Sequence, residues 1–327
     1  MISVIVLIYN LEKELPDTIR SLRQIPGTPE KMEFILVDDG STDSSGRIAD
    51  NADDPRFRVF HTENRGYGAA INYGIDHARG EWIMLVDGDD WVEPGFCEIP
   101  LKAALEFNAD IVIFTFQAWK NGILWEELFS EKVNQFFLKL TGKTDTSVRP
   151  YGIIDEETAI KKGRPSGWAK IYRRELFDRI RYPEGRYFVD VIVTYRLFHA
   201  AKRIVMIPDV LYNYRVRSGS IAHTWSEKYK RDCFLSALDH YIDLKEWKFP
   251  PELHRAVVWN SAITFMMITE SDDEDVGKAA QILDSIPGIP KEMPLKNRIM
   301  LRVWKTDPKL FHWICRLRGL KRHDQKN

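Results

Sequence analysis

Cysteine is scarce in this 327-residue chain: Cys97, Cys233 and Cys315 stand far apart, and no CxxC occurs. That excludes a disulfide scaffold and a thiolate zinc site, and it fits a reducing compartment in which each thiol is an inert buried group. Long apolar runs are missing too. None approaches the roughly 20 residues of a membrane-spanning helix. The opening "MISVIVLIYN" is apolar but lacks a basic start and a cleavage site, so it is not expected to be a signal peptide. Net charge is only -1, so nothing global points to nucleic acid, and there are no repeats or low-complexity tracts. A hydrophobic share of 44% excludes a disordered chain and allows a sizeable core. The expected location is cytoplasmic.

What is present is strand–helix alternation. Ile2 to Tyr9 is apolar throughout and predicts a strand buried on both faces, as in a parallel sheet. Leu15, Ile19 and Leu22 recur at helical spacing within Glu12 to Gln24. Strands follow at Phe34 to Val37, Arg56 to His61 and Trp82 to Val86, with helices at Ser45 to Ala52 and Tyr67 to Ala78 between them. Short connections in this order predict a parallel α/β sheet. Further on, the pattern predicts a helix over Pro94 to Phe107, a strand over Asp110 to Phe116 and a strand into a helix from about Arg174. A helix over Phe188 to Ala200, a strand near Ile204 to Ile207 and an all-helical region from about residue 225 complete it.

Ligands gather beyond the carboxyl ends of such strands. Tyr9-Asn10, Asp38-Asp39, Asn64-Arg65-Gly66 and Asp87 to Asp90 all fall at those ends. In "MLVDGDDWVEP" an apolar strand runs straight into three carboxylates, whose mutual repulsion calls for a cation. Asp87 and Asp89, at i and i+2 across Gly88, suit one Mg2+ or Mn2+, which share oxygen ligands with substrate phosphates. Asp90 either caps a following helix or faces a bound ligand. One of Asp38 and Asp39 suits the ring N–H of a pyrimidine, and the other a ribose hydroxyl or a backbone amide. Ser41, Thr42 and Asp43 read as caps of the next helix.

The stretches "VIVLIYNLEKELPDTIRSL", "FILVDDGSTDSSGRI" and "ENRGYGAAINYGIDHARGEWIMLVDGDDWVEP" resemble the nucleotide-binding half of the family 2 inverting glycosyltransferases. A second block, from "GWAKIYRREL" to "YNYRVRSGSIAH", extends the likeness through about residue 223. The resemblance implies the GT-A fold: a Rossmann-like, mostly parallel sheet flanked by helices. The chain is accordingly divided into residues 1–223 (1–96 nucleotide-binding, 97–223 acceptor) and a helical extension, 224–327. The resemblance implies that Asp39 reads the base beside Asp38, Tyr9 edges the nucleotide pocket and Arg65 borders it. Asp87 and Asp89 match the D-x-D, with Asp89 the direct ligand. Trp168 and Lys170 match a W-x-K, an aromatic floor for the sugar and a cation for phosphate. Arg215, Arg217 and His223 would close over the diphosphate, His223 capping the metal. The family's Glu-Asp pair is Val189-Asp190 here, which leaves Asp190 as general base. Leu7 also departs, where many members carry Pro.

Hence a nucleotide-sugar donor, most often UDP-linked, and a glycan or lipid-linked glycan acceptor are expected. From Lys296 to Asn327 ten Lys/Arg face two Asp/Glu, a surplus of eight, so the rest carries minus nine. Trp304, Phe311, Trp313, Ile314 and Leu317 are interleaved with those bases. Such a tail suits either an anionic membrane surface or a packed helix with a solvated basic face. Two other readings stand beside the transferase. A nucleotidyltransferase would want an early Gly- and Lys-rich phosphate loop, and "YNLEKEL" is none. A non-catalytic carbohydrate- or nucleotide-binding relative is suggested by Val189.

Overall fold

The computed structural model describes residues 1–124, 152–217, 227–249, 258–259, 262–263, 281, 295–307, 309–311 and 313–314. The chain divides into two compact units, one of Met1–Lys132 with Asp145–Ser220, the other of Val133–Thr144 with Ile221–Asn327.

The first unit is built on one ten-stranded sheet. Its first half is parallel: β1 (Ile2–Ile8) lies between β2 (Met32–Asp38) and β4 (Trp82–Asp87), with β3 (Phe57–His61) outside β2. Every residue of β1 and β2 is buried, because helices cover both faces. Those helices include α1 (Leu15–Arg23), α2 (Ser45–Asp50) and α3 (Tyr67–His77). Helix α1 turns Leu15, Thr18, Ile19 and Leu22 inward, the spacing of one helical face. The parallel α/β expectation holds here.

Past β4 the sheet is mixed. After β5 (Trp91–Val92) and α4 (Glu98–Glu106) come β6 (Ile111–Lys120) and the short β7 (Ile123–Leu124). Strand β8 (Gly152–Ile154) and α5 (Glu156–Lys162) precede β9 (Lys170–Arg173). Strand β9 enters antiparallel between β4 and β6, which it joins into one sheet. A 3-10 turn over Arg174–Asp178 takes the place of the helix expected there. It is followed by α6 (Val189–Ala200) and β10 (Ile204–Val216).

Strand β10 is far longer than the four residues its apolar core suggested. It pairs parallel with β6, with register shifts between Met206 and Val210 and again before Tyr212. Pro208 lies at the break, where a residue without an N–H cannot serve the ladder. Beyond the break β10 pairs antiparallel with β5. The acidic loop therefore runs into a strand, and Asp90 has no helix to cap.

The core includes Val4, Phe34, Trp82, Phe114 and Tyr212. Cys97 lies fully buried there, and burial pushes its thiol up to about 12. Near the start of β2 Glu33, 3% exposed, accepts from the Ser3 hydroxyl at 2.6 Å, the Arg79 amide at 2.6 Å and Arg58 at 2.6 Å. Burial alone would raise its pKa; these bonds outweigh it and hold the carboxyl below the model-peptide value of 4.5.

In the second unit α7 (Glu227–Glu246) and α8 (Leu295–Thr306) share a core. Phe234, Ala237 and Leu238 meet Trp259, Met300, Leu301, Trp304 and Phe311 there. The tail's Trp304 and Phe311 thus face protein, whereas Trp313 is 57% exposed. Leu317 and Cys315 lie outside the described residues. No helix among the described residues is long and apolar enough to cross a membrane.

Replacing Glu33 by Ala leaves Arg58 and Ser3 without their shared acceptor. We expect a loss of about 2–3 kcal/mol in denaturant unfolding at neutral pH. A depressed native pKa stabilises above 4.5, so the gap between wild type and variant should shrink as pH falls through the native value.

Candidate active site

Strand β4 ends at the acids. Asp87, Asp89 and Asp90 each offer a carboxylate oxygen, all within 4.8 Å of one another. The backbone that gathers them is tightly held. The Gly88 amide donates to the Leu7 carbonyl at 2.9 Å, and a methyl group built on Gly88 would lie 2.6 Å from that oxygen. Only glycine separates the two acids without pushing this turn off β1. The Thr18 hydroxyl of α1 lies 2.8 Å from the Gly88 carbonyl and 2.6 Å from that of Asp90.

Each acid has a distinct setting. Asp87 accepts from the Tyr67 hydroxyl at 3.0 Å, and its own amide donates to the Tyr212 hydroxyl at 3.1 Å. Burial, then the Asp89 charge, raise its pKa to about 8. Asp90 is fully buried; it accepts from the Tyr212 hydroxyl at 2.6 Å and the Arg215 amide at 2.7 Å. Burial and its two acidic neighbours push its pKa well up. Asp89 accepts from Arg217 Nε at 2.6 Å. The Arg215 guanidinium is engaged with protein: it donates to the Asp89 carbonyl and to Asp17, and lies over Trp91. An all-oxygen donor set in which two members resist ionisation fits a hard divalent cation, which would replace the protons.

The second wall is the loop after β2. Asp39, 5% exposed, accepts from the Arg65 amide at 2.9 Å and the Gly66 amide at 2.8 Å. A carboxylate offers about four acceptor directions, so these bonds leave capacity for a ligand N–H. Asp38 is placed otherwise. Its oxygens take the Ser41 amide at 3.0 Å and His61 Nδ1 at 2.9 Å, so it shapes the turn and docks β3. Asp43 accepts from the Ser45 and Glu12 amides and so ties the loop before α2 to the segment after β1, while the N-cap of α2 is Ser44 and not Asp43. Tyr9 is 46% exposed at the end of β1. The Arg65 side chain pairs with Glu184 at 2.6 Å.

Asp190 lies in the first turn of α6 and is partly exposed. From sequence, apolar neighbours and a helix N-terminus pull its pKa in opposite directions. Burial wins over the Val191 and Asp190 amides and over Lys170, and the value rises to about 6. The Asp190 charge raises the hydroxyl pKa of Tyr67, Tyr172, Tyr182 and Tyr195, each of them driven up first by its own burial. Tyr67 also feels Asp87, so the acid cluster and Asp190 act on one side chain. Val189 is 1% exposed and belongs to the core, not to the site.

Trp168 stacks on Tyr212 at 4.8 Å and 9°, and on Tyr214 at 5.6 Å. Lys170 differs from the expectation of a phosphate contact. It is 1% exposed and donates to the Ser166 carbonyl at 2.8 Å and the Trp168 carbonyl at 3.3 Å, so it braces the loop that carries Trp168. His223 lies outside the described residues.

Thr18, Tyr67 and Tyr212 were not singled out from sequence. Tyr67 directly follows "ENRG" at the start of a helix, a signal that was there to use. Tyr212 depends on the β10 break and carries no local mark.

A profile described as Glycosyl transferase family 2 matches residues 3–181, more than half of the chain. The protein belongs to glycosyl transferase family 2. GlyG of Streptococcus pneumoniae, a glycosyltransferase, is 34% identical over 284 residues, which take in 78% of this chain and 90% of that one. GlyA of the same organism is 28% identical over 264 residues; the match covers 78% of this chain but only 36% of that longer protein. Among solved structures, S. aureus TarS 1-349 in complex with UDP-GlcNAc superimposes with a TM-score of 0.67. It covers 95% of this chain and 89% of that one at 19% identity, a likeness of fold. The chain has the GT-A fold.

Addition of Mn2+ should raise the melting temperature, and Asp87→Asn with Asp89→Asn should abolish that rise. Protons compete at Asp87, so the rise should weaken as pH is lowered from about 8 toward 6.

Proposed function

We propose that this family 2 enzyme is an inverting glycosyltransferase. It moves a sugar from a UDP-linked donor to a hydroxyl of a glycan or lipid-linked glycan, with Asp190 as general base. The observation that carries this is the pairing of a carboxyl group poised near 6 with a cluster of three acids across Tyr67. A base with a pKa just below neutral is ionised at pH 7 yet still basic enough to take a proton.

One displacement suffices. Asp190 accepts the proton of the acceptor hydroxyl as its oxygen attacks the anomeric carbon. The bond from that carbon to the diphosphate oxygen breaks, and UDP leaves with the electron pair. Attack from the face opposite the leaving group inverts the carbon. Asp87 and Asp89, with Asp90 behind them, would hold Mn2+ or Mg2+, which when bound supplies positive charge for the departing diphosphate. Trp168 offers a flat apolar face to the sugar, and Tyr9 and Asp39 take the nucleoside. Support for a UDP donor comes from the UDP-GlcNAc held by TarS on the same fold. Arg217 is the guanidinium on hand for phosphate oxygens once a cation takes Asp89. For a lipid-linked acceptor, the exposed Ile299, Leu310 and Trp313 among the tail's bases offer apolar side chains to a membrane.

A panel of sugar nucleotides, read for UDP or GDP release, names the donor. Asp190→Asn should lower kcat at least about 10²-fold while UDP affinity in Mn2+ is kept. The ionised form is the active one, so wild-type kcat should rise with pH through an apparent pKa of about 6 and level off above it. Turnover by Asp190→Asn at the wild-type rate would remove the base assignment.

A further inference from the structure

Helix α3 meets the segment that leads into the proposed base at four points, in reverse order. Arg65, just before the helix, pairs with Glu184 at 2.6 Å. Gly68 faces the Pro183 carbonyl so closely that a methyl group built on it would collide with that oxygen. Asn72 donates to the Tyr182 carbonyl at 2.8 Å and accepts from the Tyr182 amide at 3.0 Å. Asp76 pairs with Arg181 at 2.8 Å. Positions 68, 72 and 76 are spaced by four, so they share one face of the helix.

The docked segment has no regular structure of its own to hold it. Between the 3-10 turn and α6, residues 179–188 form neither helix nor strand. Gly185 and Phe188 both adopt positive φ, at 70° and 57°, and Asp190 comes two residues later. The two outer contacts are exposed ion pairs, which contribute little. The inner two are different. Asn72 satisfies both backbone groups of Tyr182, whose side chain is 2% exposed, and the pair is partly shielded from water. The Tyr182 hydroxyl is buried without a hydrogen-bond partner, and Asp190 and Asp87 both act on it after burial.

The N-terminal end of α3 also belongs to the donor side. Its N-terminus follows the Arg65-Gly66 amides held by Asp39, and Tyr67 in its first turn donates to Asp87. One rigid element therefore touches the nucleotide wall, the acid cluster and the base segment. The geometry points to α3 as the splint that sets Asp190 against the donor, with Asn72 as the positioning residue and Gly68 providing the close approach. This rests on the assignment of Asp190 as base.

The full-length chain tests it through Asn72→Ala and Gly68→Ala. Turnover is read as UDP released from the most active sugar nucleotide of the panel, with water as acceptor. UDP affinity in Mn2+ is measured by calorimetry, and amide exchange is followed over residues 181–190. We expect kcat to fall about 10²-fold, the cost of a displacement near 1 Å at the reacting group. UDP affinity and the donor KM should stay within about twofold, and exchange over 181–190 should quicken. A purely structural role would lower the melting temperature without splitting kcat from KM. Should Asn72→Ala fail to fold, Gly68→Ala decides alone, because it retains every hydrogen-bonding group. If both variants keep kcat while Asp190→Asn loses it, the splint is wrong and the base stands. Parallel loss of UDP affinity and kcat would also overturn it, by making α3 part of the donor pocket only. Full activity in Asp190→Asn would overturn both.

Discussion

Three carboxylates crowded at the end of one buried strand are the constraint around which the first unit is organised. Left to themselves they repel, and the protein spends several elements on keeping them together. Strand β1 receives the Gly88 amide, α1 brings the Thr18 hydroxyl, and β10 brings Tyr212 and the Arg215 amide. Two of the acids resist ionisation in this setting, and Arg217 lies on the third. The fold holds an electrostatic conflict that a divalent cation would relieve. Such local conflict is common where a site is built for a ligand.

The mixed half of the sheet is what makes this possible. A purely parallel continuation would leave the ends of β4 facing solvent on one side. Instead β9 runs antiparallel beside β4, and the broken strand β10 returns past β6 to pair with β5. That route delivers Tyr212 and both arginines to the acids, and it stacks Trp168 on Tyr212 and Tyr214. The same tyrosine therefore supports the acid loop with its hydroxyl and the ring of Trp168 with its own ring. Lys170, buried, braces the loop that carries Trp168.

On the other flank, Asp190 and the acids stand on different segments yet share Tyr67. Burial raises the pKa of both Asp190 and Asp87, but with different neighbours and to different extents, so one structure holds one carboxyl poised near 6 and another near 8. The two values are separated by environment and not by residue type. In the second unit α8 buries one face through Met300, Leu301 and Trp304, whereas α7 buries residues around much of its circumference, Lys230, Asp232 and His240 among them, and the aromatic residues of the tail divide between core and solvent.

Much of this was legible in the chain itself. All-apolar β1 and β2, the helical spacing of Leu15, Ile19 and Leu22, and carboxylates placed just past strand ends are local patterns, and local patterns report periodicity and burial directly. They sufficed for the parallel half of the sheet and for naming Asp87, Asp89 and Asp39 as candidates. Tertiary structure alone decided what depends on distant partners. Asp38 and Asp39 are neighbours of identical chemistry; one docks His61 and the other clamps the loop at Gly66, because the strand end turns their side chains toward different surroundings. Asp190's pKa hung between an apolar setting and a helix terminus, and only the amount of packed protein around it gave the sign. Tyr212, 122 residues from the Asp90 carboxylate it meets at 2.6 Å, reaches it through a register shift that no spacing encodes.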